Sequence, residues 1–390
     1  MVEFLNLVMK ICLLGASGSI GRQTIDVIEN NPNDFTLVSF SVGHNHQIID
    51  EILSNHQEVN SVYLLDEDEK EKYQNRYPHI KFFSGEEGLE NLIKASKSEM
   101  VVNALVGFAG LVPSITAIKE RKILALANKE SLVVGGELIN SLLKEYNGKM
   151  YPIDSEHSAI WKCLKVDNED VEKIILTGSG GAFRKLNRDQ LVNVTKDDAL
   201  NHPTWKMGNK ITIDSATMMN KGFELIEAYY LFGYKADKLD VILHDESILH
   251  SCVKYKSGLY RGEVNKPDMR NPIKFALYEG NIPFETETFT DFNDLKDLHF
   301  HEFNPDRYPL VGLAKVVIDK GGNSGAIINA ANEVAVKAFL EDKISFLDIE
   351  RIIFKTLDIV KYDSSYSLKS LLEANKKAIE VASSLIGGSK

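Results

Sequence analysis

The stretch KICLLGASGSIG, from Lys10 to Gly21, places a short apolar run directly before a glycine-rich segment. We predict a buried strand over residues 10–14, and the apolar spacing from Ile20 to Ile28 predicts a helix after the glycines. The next apolar run, 35–42, reads as a second strand. A strand, a glycine loop, a helix and a second strand in this order are the context that a dinucleotide-binding site requires. A simple tight turn is the alternative, and the flanking strand and helix favour nucleotide binding over it.

The end of the second strand indicates which nucleotide the chain binds. An NAD site usually has an Asp or Glu there, bonded to the ribose 2′-hydroxyl. This chain has Gly43, His44 and Asn45 instead. A 2′-phosphate is tolerated beside these residues, and His44 or Asn45 could bond it. The sequence therefore predicts NADP(H).

Strands and helices keep alternating through the first third of the chain. We predict strands over 61–65, 100–106 and 122–127, with helices over 111–121 and 131–146. Such alternation predicts an α/β domain with a parallel, doubly wound sheet, whose ligands bind beyond the carboxyl ends of the strands. Lys129 follows one of these ends, where it is either a solvated charge or a substrate contact.

Composition limits the class of protein. A length of 390 residues predicts two or three domains. The net charge of −11 argues against a general nucleic-acid binder, and no apolar run is long enough to span a bilayer. The first ten residues are too short for a signal peptide and lack a basic segment. The three cysteines have no paired spacing, which indicates a reducing compartment. We therefore expect a cytoplasmic enzyme that does not bind membranes.

Two carboxylates stand two residues apart after the next predicted strand. In an extended backbone Asp154 and Glu156 point to the same side. Carboxylates that converge in this way need a cation, a proton or solvent between them. A helix cap is the alternative, because Asp154 or Ser155 could cap a helix that starts at Glu156.

Two glycine-containing segments follow in the middle third. The run IILTGSGG at 174–181 predicts a strand that opens into a glycine loop, which is either an anion-binding nest or a hinge. The segment HPTWKMG at 202–208 holds a Trp and a Met between Pro and Gly. That composition is unusual for a core and suits a lid that excludes water from a ligand.

The segment ITIDSATMMNKGFE at 211–224 predicts a strand that runs straight into a helix. A helix would place Asn220, Lys221 and Glu224 on one face, with Met218, Leu225 and Tyr229 packed on another. Amide groups at the helix N-terminus, together with Lys221, suit a phosphate. An ordinary solvated face is the alternative.

These segments together predict a metal site and a phosphate site. The three carboxylates, without cysteine or a histidine pair, favour Mg²⁺ or Mn²⁺ over zinc. Phosphate contacts are predicted at Ser179, His202, Ser215, Asn220 and Lys221. The residues thus indicate a metal-assisted NADP oxidoreductase for a small phosphorylated substrate. The rivals are another NADP enzyme, such as a semialdehyde or sugar-phosphate reductase, and a redox sensor, which would not need these carboxylates.

The remainder of the chain predicts a second sheet and a helical end. Residues 240–256 and 259–264 alternate like antiparallel strands, and a connector rich in Pro and acids follows over 281–308. Helical patterns fill 310–320, 329–340, 346–360 and 368–385, which predicts a C-terminal α-helical bundle. We expect four segments: a Rossmann-type domain over 1–150, a catalytic α/β domain with a mixed sheet over 151–280, the connector, and the helical domain over 309–390.

Nearly the whole chain resembles the 1-deoxy-D-xylulose 5-phosphate reductoisomerase family. The resemblance rests on GASGSIG at 15–21, LANKESLV at 126–133, PIDSEHSAI at 152–160, LTGSGGAF at 176–183, HPTWKMG at 202–208 and IDSATMMNKGFE at 213–224. PDMRNPI at 267–273 and NAANEVAVKAF at 329–339 are also similar. Three positions depart from the family: His44 stands where many members have Lys or Arg, and Ala16 and Ala182 replace Ser/Thr and Pro.

The resemblance implies the roles of individual residues. Cofactor contacts are implied at Ser17, Gly18, Ser19, Ile20, Gly43, His44, Asn45, Asn128, Glu130 and Gly208. Substrate contacts are implied at Lys129, Ser155, Glu156, Ser179, His202, Ser215, Asn220, Lys221 and Glu224. The metal ligands would be Asp154, Glu156 and Glu224, which with Lys129 form the catalytic set. The family rearranges 1-deoxy-D-xylulose 5-phosphate to an aldehyde and reduces it with NADPH to 2-C-methyl-D-erythritol 4-phosphate. A homodimer is also implied.

Overall fold

The computed structural model describes residues 8–165, 170–205, 207–282, 292–295 and 297–386. Its strands are β1 (Met9–Leu14), β2 (Phe35–Val42), β3 (Ser61–Leu64), β4 (Lys81–Phe83), β5 (Met100–Asn103), β6 (Ile123–Leu126), β7 (Met150–Pro152), β8 (Val171–Gly178), β9 (Leu239–His244), β10 (Leu249–Tyr255), β11 (Tyr260–Val264) and β12 (Phe300–Glu302). Its α-helices are α1 (Ser19–Glu29), α2 (Ile48–Asn55), α3 (Glu67–Arg76), α4 (Gly88–Ala95), α5 (Leu111–Lys119), α6 (Lys129–Tyr146), α7 (Ser155–Lys165), α8 (Lys196–Leu200), α9 (Asn209–Ala216), α10 (Met219–Phe232), α11 (Arg270–Leu277), α12 (Leu313–Lys320), α13 (Ser324–Leu340), α14 (Phe346–Ile359) and α15 (Leu368–Ile386).

The chain forms two compact units. Unit 1 consists of the described residues of Met1–Asn128, Ile139–Asp154 and Met269–Ile282. Unit 2 consists of those of Lys129–Leu138, Ser155–Asp268 and Pro283–Lys390. Helix α11 belongs to unit 1 because its Ile273 and Leu277 share a core with Ile11 and Leu37.

Unit 1 contains a seven-stranded sheet in the order β4-β3-β2-β1-β5-β6-β7. Each adjacent pair is parallel, which confirms the predicted doubly wound sheet. The strand order reverses between β1 and β5, and ligands bind beyond the carboxyl ends of strands at such a switch point. The sequence analysis did not predict α2, α3, β4 and α4, which are each 3 to 10 residues long.

The glycine loop after β1 packs tightly against the start of α1. A Cβ atom on Gly21 would lie 2.2 Å from the Gly15 carbonyl oxygen and 2.7 Å from the Ala16 Cα. No side chain fits there, so Gly21 lets the helix approach the loop. The backbone N–H of Ala16 donates to the Ser41 carbonyl at 2.8 Å, which joins the loop to β2.

Unit 2 contains a five-stranded mixed sheet in the order β11-β10-β8-β9-β12. Strands β8 and β9 are parallel, whereas β10 is antiparallel to both β8 and β11. The C-terminal helices α13, α14 and α15 pack on one another, as predicted. Their apolar residues join the core of this unit, in which Phe339 and Phe346 meet edge to face at 5.6 Å.

The structure corrects two predicted elements. Residues 211–213 are not a strand, because they lie in helix α9. β-Branched residues cost a helix only a few tenths of a kcal/mol each, and here a Lys210–Asp214 pair one turn apart and burial of Ile213 outweigh that cost. The connector also contains a strand, since β12 pairs with β9. Connector residues 283–291 and 296 lie outside the described residues.

None of the described helices combines the length and the apolar character of a membrane span.

A candidate active site of lysines and carboxylates

A break between α9 and α10 sets the position of the polar residues of this segment. Met218 adopts a left-handed backbone conformation, with φ of 61°, and α10 begins at the next residue. Asn220 and Lys221 therefore lie in the first turn of α10 and Glu224 lies one turn later. Lys221 and Glu224 are buried, so the alternative of a solvated face is wrong for this helix.

Four charged side chains of unit 2 form one network. The Lys129 ammonium group donates to Glu224 Oε1 at 3.0 Å and to Asn220 Oδ1 at 2.9 Å. The Lys221 ammonium group donates to Glu156 Oε1 at 2.9 Å and also to Glu224 Oε2. Burial opposes the charge of Lys221, but the two carboxylates outweigh it and raise the pKa of this lysine. The network therefore holds its charges in pairs away from solvent.

The carboxylates of this network fit a hard divalent cation. Within unit 2, one carboxylate oxygen of Glu156 lies within 4.8 Å of one of Glu224. Asp154 immediately precedes the first residue of α7, and the Ser155 hydroxyl donates to Glu156 Oε2 at 2.6 Å. Carboxylate oxygens alone suit Mg²⁺ or Mn²⁺. The carboxylate ligands thus agree with the predicted Mg²⁺ or Mn²⁺. In this structure the Lys221 ammonium group supplies the positive charge between Glu156 and Glu224.

The predicted phosphate residues separate into two groups. Lys221 and Asn220 belong to the charged network, whereas Ser179 and Ser215 each lie 3.1 Å from His202 Nε2. The two groups adjoin at the end of β8, because a Cβ on Gly178 would lie 3.1 Å from Lys221 Cε. Three N–H groups at the start of α10 already donate within the chain, those of Met219, Lys221 and Gly222.

The glycine loop after β8 closes onto the end of α9. Gly181 has φ of 69°, and a Cβ there would lie 2.5 Å from the Ser215 carbonyl oxygen. Its backbone N–H donates to the Ser179 hydroxyl at 3.2 Å. Only glycine permits this close approach, which brings Ser179 and Ser215 to the same imidazole.

His202 holds a turn of the 202–208 segment. Its Nδ1 accepts backbone N–H bonds from Thr204 at 3.2 Å and Trp205 at 2.9 Å, so this nitrogen carries no proton. The proton then resides on Nε2, which faces the serine hydroxyls. Burial, with a smaller effect of the Arg184 charge, lowers the pKa of His202 to about 4. The imidazole is therefore neutral at physiological pH.

The predicted cofactor residues fall in both units. In unit 1, residues 17–20 follow β1 and residues 43–45 follow the neighbouring strand β2, at the same edge of the sheet. Asn128 is buried and donates to the carbonyls of Leu105 and Gly107, at 3.0 and 2.9 Å. In unit 2, Gly208 precedes α9, and Glu130 accepts from Lys210 at 2.6 Å.

Sequence reasoning missed two residues that contact this site. His157 Nε2 lies 2.9 Å from the Glu224 carbonyl oxygen, and its Nδ1 lies 3.2 Å from a Glu227 carboxylate oxygen. Lys210 contacts both Glu130 and Asp214. The i,i+4 spacing of Lys210 and Asp214 was a usable signal, and His157 stands inside a quoted motif.

A dinucleotide-type sheet in unit 1 and a carboxylate–lysine network in unit 2 define the class, a metal-dependent NADP oxidoreductase. Three family models match the chain: 1-deoxy-D-xylulose 5-phosphate reductoisomerase at residues 11–136, its C-terminal domain at 150–232, and the DXP reductoisomerase C-terminal domain at 264–381. The chain belongs to the 1-deoxy-D-xylulose 5-phosphate reductoisomerase family, as its motifs indicated.

Individual relatives agree over almost the full length. The reductoisomerase of Bacillus cereus (strain AH187) is 44% identical over 93% of this chain and 96% of its own. The reductoisomerase of Desulforamulus reducens is 42% identical over 97% of this chain and 98% of its own. A Zymomonas mobilis reductoisomerase solved with NADPH aligns with a TM-score of 0.89 at 34% identity, over 98% of this chain and 100% of that one. A reductoisomerase solved with NADPH, fosmidomycin and magnesium aligns with a TM-score of 0.88 at 32% identity, over 97% of this chain and 98% of that one.

Proposed function

We propose that this chain converts 1-deoxy-D-xylulose 5-phosphate to 2-C-methyl-D-erythritol 4-phosphate, with NADPH as reductant and Mg²⁺ or Mn²⁺ as the metal. The observation that supports this best is the network in which Lys129 and Lys221 share the carboxylates of Glu156 and Glu224. Two ammonium groups and a hard oxygen cluster suit a substrate with adjacent oxygen atoms and a phosphate. This site also separates the proposal from the sensor alternative, because a sensor needs no such cluster.

Asp154, Glu156 and Glu224 would hold the metal, which would polarise the substrate carbonyl and stabilise the negative charge that develops on its oxygens. Lys129 adds a fixed positive charge next to the same oxygens, since it lies 3.0 Å from Glu224. Asn220 keeps Lys129 in place through the 2.9 Å bond to its ammonium group. Ser155 donates to Glu156 and so orients that carboxylate.

The substrate phosphate would bind where Ser179, Ser215 and His202 adjoin Lys221. The neutral His202 presents an Nε2–H group, and the two hydroxyls rotate to suit a phosphate oxygen. This group lies away from the reacting carbons, so its binding energy can orient the substrate. Trp205 would then cover the substrate and exclude water from the aldehyde.

The cofactor would bind at the carboxyl edge of the unit 1 sheet. Residues 17–20 would receive its pyrophosphate at the start of α1, and residues 43–45 its 2′-phosphate. His44 is exposed beyond β2, with no acidic residue beside it in sequence to repel a phosphate. Asn128 would complete the cofactor site, and its side-chain amide also holds the neighbouring loop by donating to the carbonyls of Leu105 and Gly107.

A spectrophotometric assay tests this function. The purified chain should oxidise NADPH when 1-deoxy-D-xylulose 5-phosphate and Mg²⁺ are both present, and the product should be 2-C-methyl-D-erythritol 4-phosphate by NMR. Chelation with EDTA should abolish the reaction, and added Mg²⁺ should restore it. The partly exposed pair of Glu172 and Lys254 offers a matched control, because Glu172→Gln removes a carboxylate that is not part of the network. NADPH oxidation without metal, or with a semialdehyde in preference to the ketose phosphate, would refute the proposal.

The four-segment division, the homodimer and the cytoplasmic location also remain proposals. Limited proteolysis would test boundaries near residues 150, 280 and 308. Analytical ultracentrifugation would test the homodimer, for which a mass of about twice the chain's 43.7 kDa is expected.

A further inference from the structure

Lys210 stands at the centre of a polar network that the reaction itself does not explain. Its ammonium group lies 2.6 Å from Glu130 Oε1 and 2.9 Å from Asp214 Oδ2. The Asn332 amide in α13 donates to the other Asp214 oxygen, Oδ1, at 2.8 Å. The two carboxylates are nearly inaccessible, with side chains 10% and 2% exposed. A chain of four bonded groups therefore connects α13, α9 and the first turn of α6.

The network fixes the position of one particular turn. Glu130 and Lys129 are the first two residues of α6. Lys129 points to Glu224 and Asn220 in α10, whereas Glu130 points to Lys210 in α9. Each of these adjacent side chains thus has its own partners on a different helix, and these bonds together define the orientation of the turn. Lys210 also lies 5.4 Å from the centre of the Phe223 ring, which links it to α10.

Charge explains why this position needs a lysine. Burial raises the pKa of Glu130, but the attraction of Lys210 and the bonds to it prevail and keep the carboxyl group ionised. Asp214 supplies the second negative charge, and Asn332 satisfies that carboxylate without adding a charge. Without the ammonium group, Glu130 and Asp214 would face each other as buried, uncompensated acids.

We propose that Lys210 is a positioning residue that sets the orientation of the Glu130 carboxylate for the cofactor, with Asp214 and Asn332 as its supports. The inference rests on the proposed function and on the cofactor contact at Glu130 that the family resemblance implies. Lys210 also follows Gly208 by two residues, so the same network fixes the end of the 202–208 segment.

A double-mutant cycle on the full chain tests this inference. Lys210→Met should raise the Kd for NADPH, measured by its fluorescence without substrate, about tenfold. Lys210→Arg keeps the charge and should recover most of the affinity. Because Lys210 acts through Glu130, Lys210→Met combined with Glu130→Gln should bind NADPH no more weakly than Glu130→Gln alone. The KM for the ketose phosphate should change less than the Kd for NADPH in Lys210→Met, because Lys129 keeps its own bonds to Glu224 and Asn220.

Several outcomes overturn the inference. Independent, multiplicative effects of Lys210→Met and Glu130→Gln would show that the lysine does not act through Glu130. A lower melting temperature with unchanged NADPH affinity would reduce Lys210 to a structural role. Lys256→Met is the matched control, because that lysine forms an exposed ion pair with Asp170 in the same unit. A failure of the proposed function differs from all of these, since the wild-type chain would then bind NADPH but not turn over the ketose phosphate.

Discussion

Replacing Glu224 with Gln should both destabilise the protein and stop turnover. The side chains of Glu224, Lys129 and Lys221 are 1%, 8% and 4% exposed, so the substitution leaves two buried ammonium groups short of a partner. Breaking a buried ion pair from one side costs about 3–5 kcal/mol. Gln keeps one acceptor oxygen, which places the expected loss at the lower end, about 3 kcal/mol. At about 2 °C per kcal/mol for a large domain, the melting temperature should fall by about 6 °C.

A second substitution separates charge balance from catalysis. Lys221→Met removes one of the two ammonium groups that have lost a carboxylate partner, so the double variant Glu224→Gln/Lys221→Met should regain about 1 kcal/mol of the lost stability. Its turnover should remain absent, because both the metal ligand and a phosphate contact are missing. NADPH binding should survive in all three variants, since the glycine loop belongs to unit 1.

Calorimetry and NADPH oxidation at several Mg²⁺ concentrations measure these effects. The control Glu172→Gln removes a 43%-exposed carboxylate paired with Lys254 and should stay within about 0.5 kcal/mol of the wild type. If Glu224→Gln melted like the wild type, Glu224 would not be the shared partner of two buried lysines. If it kept near-normal turnover at limiting Mg²⁺, Glu224 would not be a metal ligand.

Three further outcomes are expected. The kcat/KM with NADPH should exceed that with NADH at least tenfold, which corresponds to about 1.4 kcal/mol, and equal use of both nucleotides would contradict this. The substitution His44→Arg should strengthen the binding of NADPH at alkaline pH. A phosphonate joined to a hydroxamate should inhibit far more strongly than either half alone, and undiminished inhibition in Lys221→Ala would refute the two-site arrangement. Trp205 fluorescence in a Trp161→Phe background should change with a midpoint near pH 4, where His202 gains a proton, and His202→Gln should remove that transition.

His202 also makes the stability of the folded chain depend on pH. Its pKa in the folded chain lies below the ordinary value of 6.5, so folding favours the neutral form. The contribution of neutral His202 to the stability of the folded chain is complete above pH 6.5 and is lost as the pH falls from there towards about 4. A protonated Nδ1 would point a hydrogen at the N–H groups of Thr204 and Trp205, and the turn would open.

Sequence patterns predicted β1, α1 and β2 of unit 1 because the signals of these elements are local. An apolar run followed by closely spaced glycines leaves few alternatives to a strand and a tight loop. Residues 211–213 show the limit of this reasoning. Three β-branched residues favour a strand locally, but the bonds that make them helical come from Asp214 and from the packing of Ile213. Propensities of less than about 1 kcal/mol per residue cannot outweigh such contacts.

The site shows a similar division between local and distant information. The spacing of Asn220, Lys221 and Glu224 predicted that they share a helix face, and all three meet in one network. The spacing could not predict that Lys129 contacts Glu224, since 95 residues separate them. Nor could it predict that Lys210 contacts Glu130, 80 residues away. These contacts depend on how α6, α9 and α10 pack, which no local pattern records.

The charge balance of the network suggests why its lysines are buried beside its metal ligands. Within unit 2, Lys129 and Lys221 neutralise Glu156 and Glu224, so the carboxylates can stay ionised away from water. If the carboxylates bound a divalent cation, as proposed, the two ammonium groups would lose part of their counter-charge. The site would then hold excess positive charge, which the anionic oxygens of a phosphorylated substrate would compensate. Lys221 lies beside Gly178 at the end of β8, next to the serines that would receive the phosphate. The same lysines therefore stabilise the site without its ligands and attract the substrate once the metal is bound.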